Sequence, residues 1–117
     1  MSKITQDWII FAEAIQQSCL RIIEFTANYK YEDFLKDSKT IDAVIWNLEI
    51  IGKSLEHIPP NIKLKHNEIE WAKFAKFGES LIKEYYRVNY NDVWDYATKK
   101  VPQLLKEIEL ILHERYL

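Results

Sequence analysis

Glycine is almost missing from this chain: there are two in 117 residues, alongside three prolines. So little turn-forming material excludes a many-stranded all-β fold and favours long helices with few connections. Cysteine is scarcer still. The single Cys19 has no partner for an intramolecular disulfide, which points to a reducing compartment, and its apolar helical surroundings make it a buried structural residue. Positive charge is not in excess. A net charge of −2 excludes binding to nucleic acid through overall basicity, so any RNA contact must use a local patch. No apolar run approaches the roughly 18–20 residues of a membrane span. The first residues, Met1 to Asp7, carry no signal-peptide core, so a cytoplasmic protein is expected.

What the chain does have is apolar mass and rings. It is 48% hydrophobic and 14% aromatic, enough for one modest core over residues 1–117 as a single domain. So many rings exceed what a small helical domain can bury alone, and some are expected at an interface.

Apolar periodicity divides the chain into helices. The first is expected from near Thr5, a candidate cap, to about Tyr29. Trp8, Phe11, Ala12, Ile15, Cys19, Ile22 and Ile23 form its stripe, and Ile9, Ile10 and Leu20 widen it, as if covered on more than one side. A short turn over Tyr31 to Lys36 brings in Phe34 and Leu35. A second long helix, capped by Asp37 or Ser38, runs to His57 with a seam of Ile41, Val44, Ile45, Leu48, Ile51, Leu55 and Ile58. Gly52 beside that seam would let another helix approach closely. Pro59-Pro60 ends it, and a loop through Asn67 carries Lys63, Lys65 and His66. A third long helix is expected from about Glu68 to Tyr86. Asn89 or Asn91 caps the next segment, which Val101-Pro102 kinks or restarts before a last helix ends near His113. The expected fold is all-α, an up-and-down bundle of four to five helices.

The third helix holds the most informative stretch, Phe77 to Tyr86. Glycine within a helix costs roughly 1 kcal/mol against alanine, so Gly78 is there for another reason. At about 100° per residue, Trp71, Phe74, Ala75, Gly78, Leu81, Ile82 and Tyr85 share one face. Lys73, Lys76, Lys83 and Arg87 fall within an arc of roughly 80° on the other. That basic stripe is either a solvated face or a phosphate-tracking surface.

This stretch resembles the motif of the HepT-like ribonucleases of the HEPN superfamily: Arg, four to six residues, His, any residue, Tyr. Gly78 stands at the Arg position, Lys83 at the His position and Tyr85 on the Tyr. Thr40 to Gly52 resembles the family's second long helix, although Lys53 follows where Gly-Glu is common. Val93-Trp94-Asp95 and Val101-Pro102-Gln103-Leu104 resemble its C-terminal helices. The resemblance spans Trp8 to Leu112.

The resemblance implies a HEPN-like bundle, a homodimer in which two motifs meet in one cleft, and metal-independent RNA cleavage by attack of the 2′-hydroxyl on the adjacent phosphate. It also implies a minimal nucleotidyltransferase antitoxin that adds AMP units to the motif tyrosine, here Tyr85. Cleavage needs a group titrating near neutrality and a cation for the developing phosphorane charge, the roles of His and Arg. Gly78 offers no side chain, and a lysine, with an ordinary pKa near 10.4, is a poor base. So no catalytic residue is retained, and Lys73, Lys76, Lys83 and Arg87 are left as RNA-binding candidates.

No cofactor or metal is expected: His57, His66 and His113 share no ligand spacing, and Asp33, Asp37, Asp92 and Asp95 are mostly explained as capping. Three readings stay open. One is a disabled HepT-like toxin component. The second is a non-enzymatic HEPN dimer that binds protein or RNA, and the third an enzyme using Lys83 in a rearranged site. Restoring Gly78→Arg with Lys83→His is expected to recover cleavage, with no cost to the helix, since Arg is the better helix former.

Overall fold

The computed structural model describes residues 7–114, and every described element is helical. The long helices are α1 (Trp8–Thr26), α3 (Ser38–Leu55), α5 (Trp71–Lys83) and a C-terminal run. Short helices α2 (Tyr31–Leu35) and α4 (Pro60–Lys65) fill the connections. The C-terminal run comprises α6 (Tyr90–Asp95), one π-helical turn (Tyr96–Lys100) and α7 (Val101–Glu114). The all-α bundle expected from the periodicity is therefore the observed architecture.

α1 packs along α3 and α7, and α5 packs on α3. Ala12, Ile15, Cys19 and Ile22 of α1 meet Val44, Leu48, Ile51 and Leu55 of α3 and Leu104 and Ile108 of α7 in one core. Burial pushes the Cys19 thiol up to about 12, helped by nearby Glu109, so the inert structural role expected of it holds. Ile9 is buried as expected, but Ile10 and Leu20 are exposed: α1 is covered along one stripe only, since no element packs over its outer face.

Asp37 caps α3 by accepting from the Thr40 N–H at 3.1 Å and the Thr40 hydroxyl at 2.8 Å. The Tyr29 hydroxyl donates to the same carboxylate. Asn89 caps α6 through the Asp92 N–H at 3.1 Å. The proposed Thr5 cap lies outside the described residues.

Two expectations need correction. Residues 60–65 form helix α4, because Pro60 occupies its first turn, where a missing N–H costs nothing. The helix carrying the motif starts at Trp71 and stops at Lys83, not Glu68 to Tyr86. Glu84 leaves the helical region (φ −123°, ψ 40°), and Tyr85–Arg87 form a separate 3₁₀ turn. The restart expected at Val101-Pro102 is present: α7 begins at Val101, directly after the π-helical turn. The Val101 N–H reaches back to the Tyr96 carbonyl, five residues earlier, and this wider turn relieves the crowding that the Pro102 ring imposes. Tyr96 in that turn stacks on Phe77 (3.9 Å between centroids, 8° between planes) and meets Phe74 edge-on, which locks the C-terminal run to α5.

Candidate functional site

The only two glycines of the chain touch each other. A Cβ added at Gly78 would lie 2.9 Å from both Gly52 Cα and the Leu48 carbonyl oxygen. One added at Gly52 would lie 3.0 Å from Gly78 Cα. All of these are backbone atoms, so α3 and α5 cross here as closely as two helices can. The close approach expected at Gly52 is thus present, and its partner is the motif glycine. The expectation that Gly78→Arg would leave the helix undisturbed fails: propensity favours Arg, but the crossing leaves no room even for a Cβ.

From the crossing the two helices open into a groove of about 410 Å³ lined by Gly52, Lys53, Glu56, His57, Ala75, Glu79, Ile82 and Lys83. Lys83 is on the rim, 70% exposed, with its ammonium 3.1 Å from Glu79. His57, in the turn just past the C-terminus of α3, stacks on Phe11 of α1 (3.9 Å, 10°). It also lines a second groove, about 420 Å³, with Asp7, Trp8, Phe11, Pro59, Asn61 and Ile62.

Tyr85 does not share the face of Gly78. The 3₁₀ turn swings it out, 77% exposed, with its ring edge-on to Tyr86 at 6.0 Å. Arg87 lies beyond the helix too, its guanidinium 5.6 Å from the Tyr86 ring centre and 3.4 Å from Glu84. The expected basic stripe is therefore broken. Lys73 and Lys76 remain exposed on α5, and Lys73 faces Glu70 at 3.9 Å. Among the described residues no group of three His, Cys, Asp or Glu side chains could hold a metal ion.

The other histidine with defined partners is His66, which is buried between carboxylates of α7, Nδ1 2.7 Å from Glu107 and Nε2 3.2 Å from Glu114. Its carbonyl accepts from Trp71 Nε1 at 3.0 Å, which fixes the approach to α5. Sequence reasoning missed Lys53 and His57 as groove residues. Lys53 directly after Gly52, with His57 four residues beyond Lys53, was the available signal, but only the crossing with α5 makes that face a wall.

An all-α bundle with a short-motif helix crossing its second long helix defines a HEPN-like domain. Comparison with known proteins makes the family explicit. The family model Ribonuclease HepT-like matches residues 15–111. A Methanocaldococcus jannaschii protein named "Putative RNase MJ0127" is 36% identical over 104 residues, covering 89% of this chain and 86% of the relative. A Thermococcus cleftensis protein named "Probable ribonuclease HepT" is 37% identical over 99 residues, 85% and 90% of the two chains. "Putative RNase TTE0752" of Caldanaerobacter subterraneus is 35% identical over 104 residues, 89% and 93%. No solved structure matches. The chain belongs to the HepT-like ribonuclease family.

Proposed function

We propose that this chain is the HepT-like component of a HEPN/minimal-nucleotidyltransferase toxin–antitoxin pair, in a form that does not cleave RNA by the family's Arg–His chemistry. The observation that carries this reading is the Gly52–Gly78 crossing: the motif's cation position is filled by backbone contact. The motif's base position holds an exposed lysine tied to Glu79. Loss of base and charge stabiliser each removes orders of magnitude in rate, though not additively. The purified chain, incubated with single-stranded RNA in a chelator, is expected to leave it intact. Cleavage that disappears in Lys83→Ala would overturn the reading and favour a rearranged enzyme.

The proposed working form is a cytoplasmic homodimer. Trp46 (63% exposed), Tyr85 and Tyr86 (70%), with Ile82 on the groove, are large apolar groups left uncovered by the single chain. Gly78, buried against α3, contributes no contact surface, so the dimer face is assigned to these rings. Being exposed in the single chain, Tyr85 is open to AMP transfer from a nucleotidyltransferase partner acting before the dimer forms. Mass spectrometry after incubation with that partner and ATP is expected to show AMP on the chain and none on Tyr85→Phe. The second reading, a non-enzymatic dimer binding protein or RNA, draws on the same exposed rings; the absence of a nucleotidyltransferase gene beside this one would favour it.

A further inference from the structure

We propose that the groove between α3 and α5 binds one nucleotide unit, its phosphate on Lys53 and its base against His57. This rests on the HepT-like reading above and moves the RNA-contacting wall from α5 to α3.

The glycine contact makes the case for the phosphate. Because Gly52 and Gly78 meet backbone to backbone, position 53 is a spatial neighbour of position 78. The family pattern has a cation at 78 and commonly a glutamate at 53. This chain has no side chain at 78 and a lysine at 53. A positive charge is thus present across the crossing from position 78, lining the same groove as Lys83. Lys53 is exposed and makes no ion pair among the described residues, whereas Lys83 is engaged by Glu79.

The base is argued from His57. Phe11 covers one side of its ring and lines only the second groove, while His57 lines both. His57 is exposed and borders the first groove with one side of its ring covered by Phe11, so a base there is proposed to use the remaining ring surface, as single-stranded nucleic-acid sites use rings for sequence-tolerant stacking. Glu56 beside it can accept N–H groups of a base. Carboxylates Glu56 and Glu79 in the lining, with Glu49 one turn before Lys53, oppose a long track of phosphates and suit a single one. The volume is in the range of small-ligand sites.

The test is fluorescence anisotropy with a short labelled single-stranded RNA, and with unlabelled AMP and UMP as competitors. Lys53→Glu is expected to weaken RNA binding about tenfold and to lower the salt slope by about one. His57→Ala is expected to weaken it about fivefold. Lys106→Glu, an exposed lysine on α7, controls for overall charge and should change little. Melting curves verify that each variant is folded. Displacement by AMP or UMP assigns the site to a free nucleotide, and its failure assigns it to the RNA chain; both uphold the groove. Absence of RNA binding, a Lys53→Glu effect no larger than that of Lys106→Glu, or loss on Lys76→Glu instead would overturn it. Modification of Tyr85 by the nucleotidyltransferase involves neither Lys53 nor His57, so the family reading is judged separately.

Discussion

Gly78→Ala sets two residue-scale effects against each other. Alanine gains roughly 1 kcal/mol of helix propensity. Its Cβ must push the Leu48 carbonyl and Gly52 Cα away from 2.9 Å, and overpacking of this kind costs about 1–3 kcal/mol. Because both obstacles are backbone, the second effect wins, and urea denaturation is expected to show a net loss of about 1 kcal/mol. A Gly78→Ala variant more stable than the parent would mean the helices part easily. Asp37 gives a pH signature. Hydrogen bonds from Tyr29 and from the amide and hydroxyl of Thr40 hold its carboxyl at about 2, below its ordinary 3.8. A depressed carboxylate stabilises the fold fully above its unfolded pKa, and that contribution is lost as pH falls through the folded one. The melting difference between the parent and Asp37→Asn is therefore expected to be constant near neutrality and to shrink from about pH 4 to pH 2.

Among the elements, the α4–α5 connection is held by His66. Removing its ring in His66→Ala leaves Glu107, whose side chain is 17% exposed, without a partner in a largely dry setting. A loss of about 2–4 kcal/mol is expected in chemical denaturation, partly recovered in the double variant with Glu107→Ala. This element was also the least legible in the sequence. Pro59-Pro60 was read only as a stop, although a proline at a first helical turn serves equally as a start. The end of α5 was missed for a related reason: the apolar period continues through Ile82 and Tyr85, and no glycine or proline marks Glu84 as the exit. By contrast, α3 was read closely, because Asp37 and the prolines bracket a clean seam. Of the site, Gly78, Lys83 and Tyr85 are where the resemblance to the family motif puts its positions. The α3 wall could not be read from sequence, since it exists only through a contact between residues far apart in the chain.

For the whole molecule, the uncovered rings make the strongest forecast. Light scattering at micromolar concentration is expected to give a dimer, and Tyr85→Ala with Tyr86→Ala to shift it toward monomer, because each ring removes a large apolar contact. A monomeric parent would count against the dimer, and an unchanged dimer in the double variant against this face. Trp46, Tyr85, Tyr86 and Tyr90 also help explain why a 14% aromatic chain needs only a modest core: they are exposed outside it.

The glycine pair limits what position 78 can hold. An arginine returning at position 78 cannot be accommodated by rotating a side chain, because what it meets is the main chain of the facing helix. Gly78→Arg is expected to yield a less stable protein, and room for the guanidinium requires α3 to move away. Simple restoration by Gly78→Arg and Lys83→His is accordingly expected to give a poorly folded, inactive protein. With the helices closed over this position, use of the cleft is left to the residues on its walls rather than to position 78.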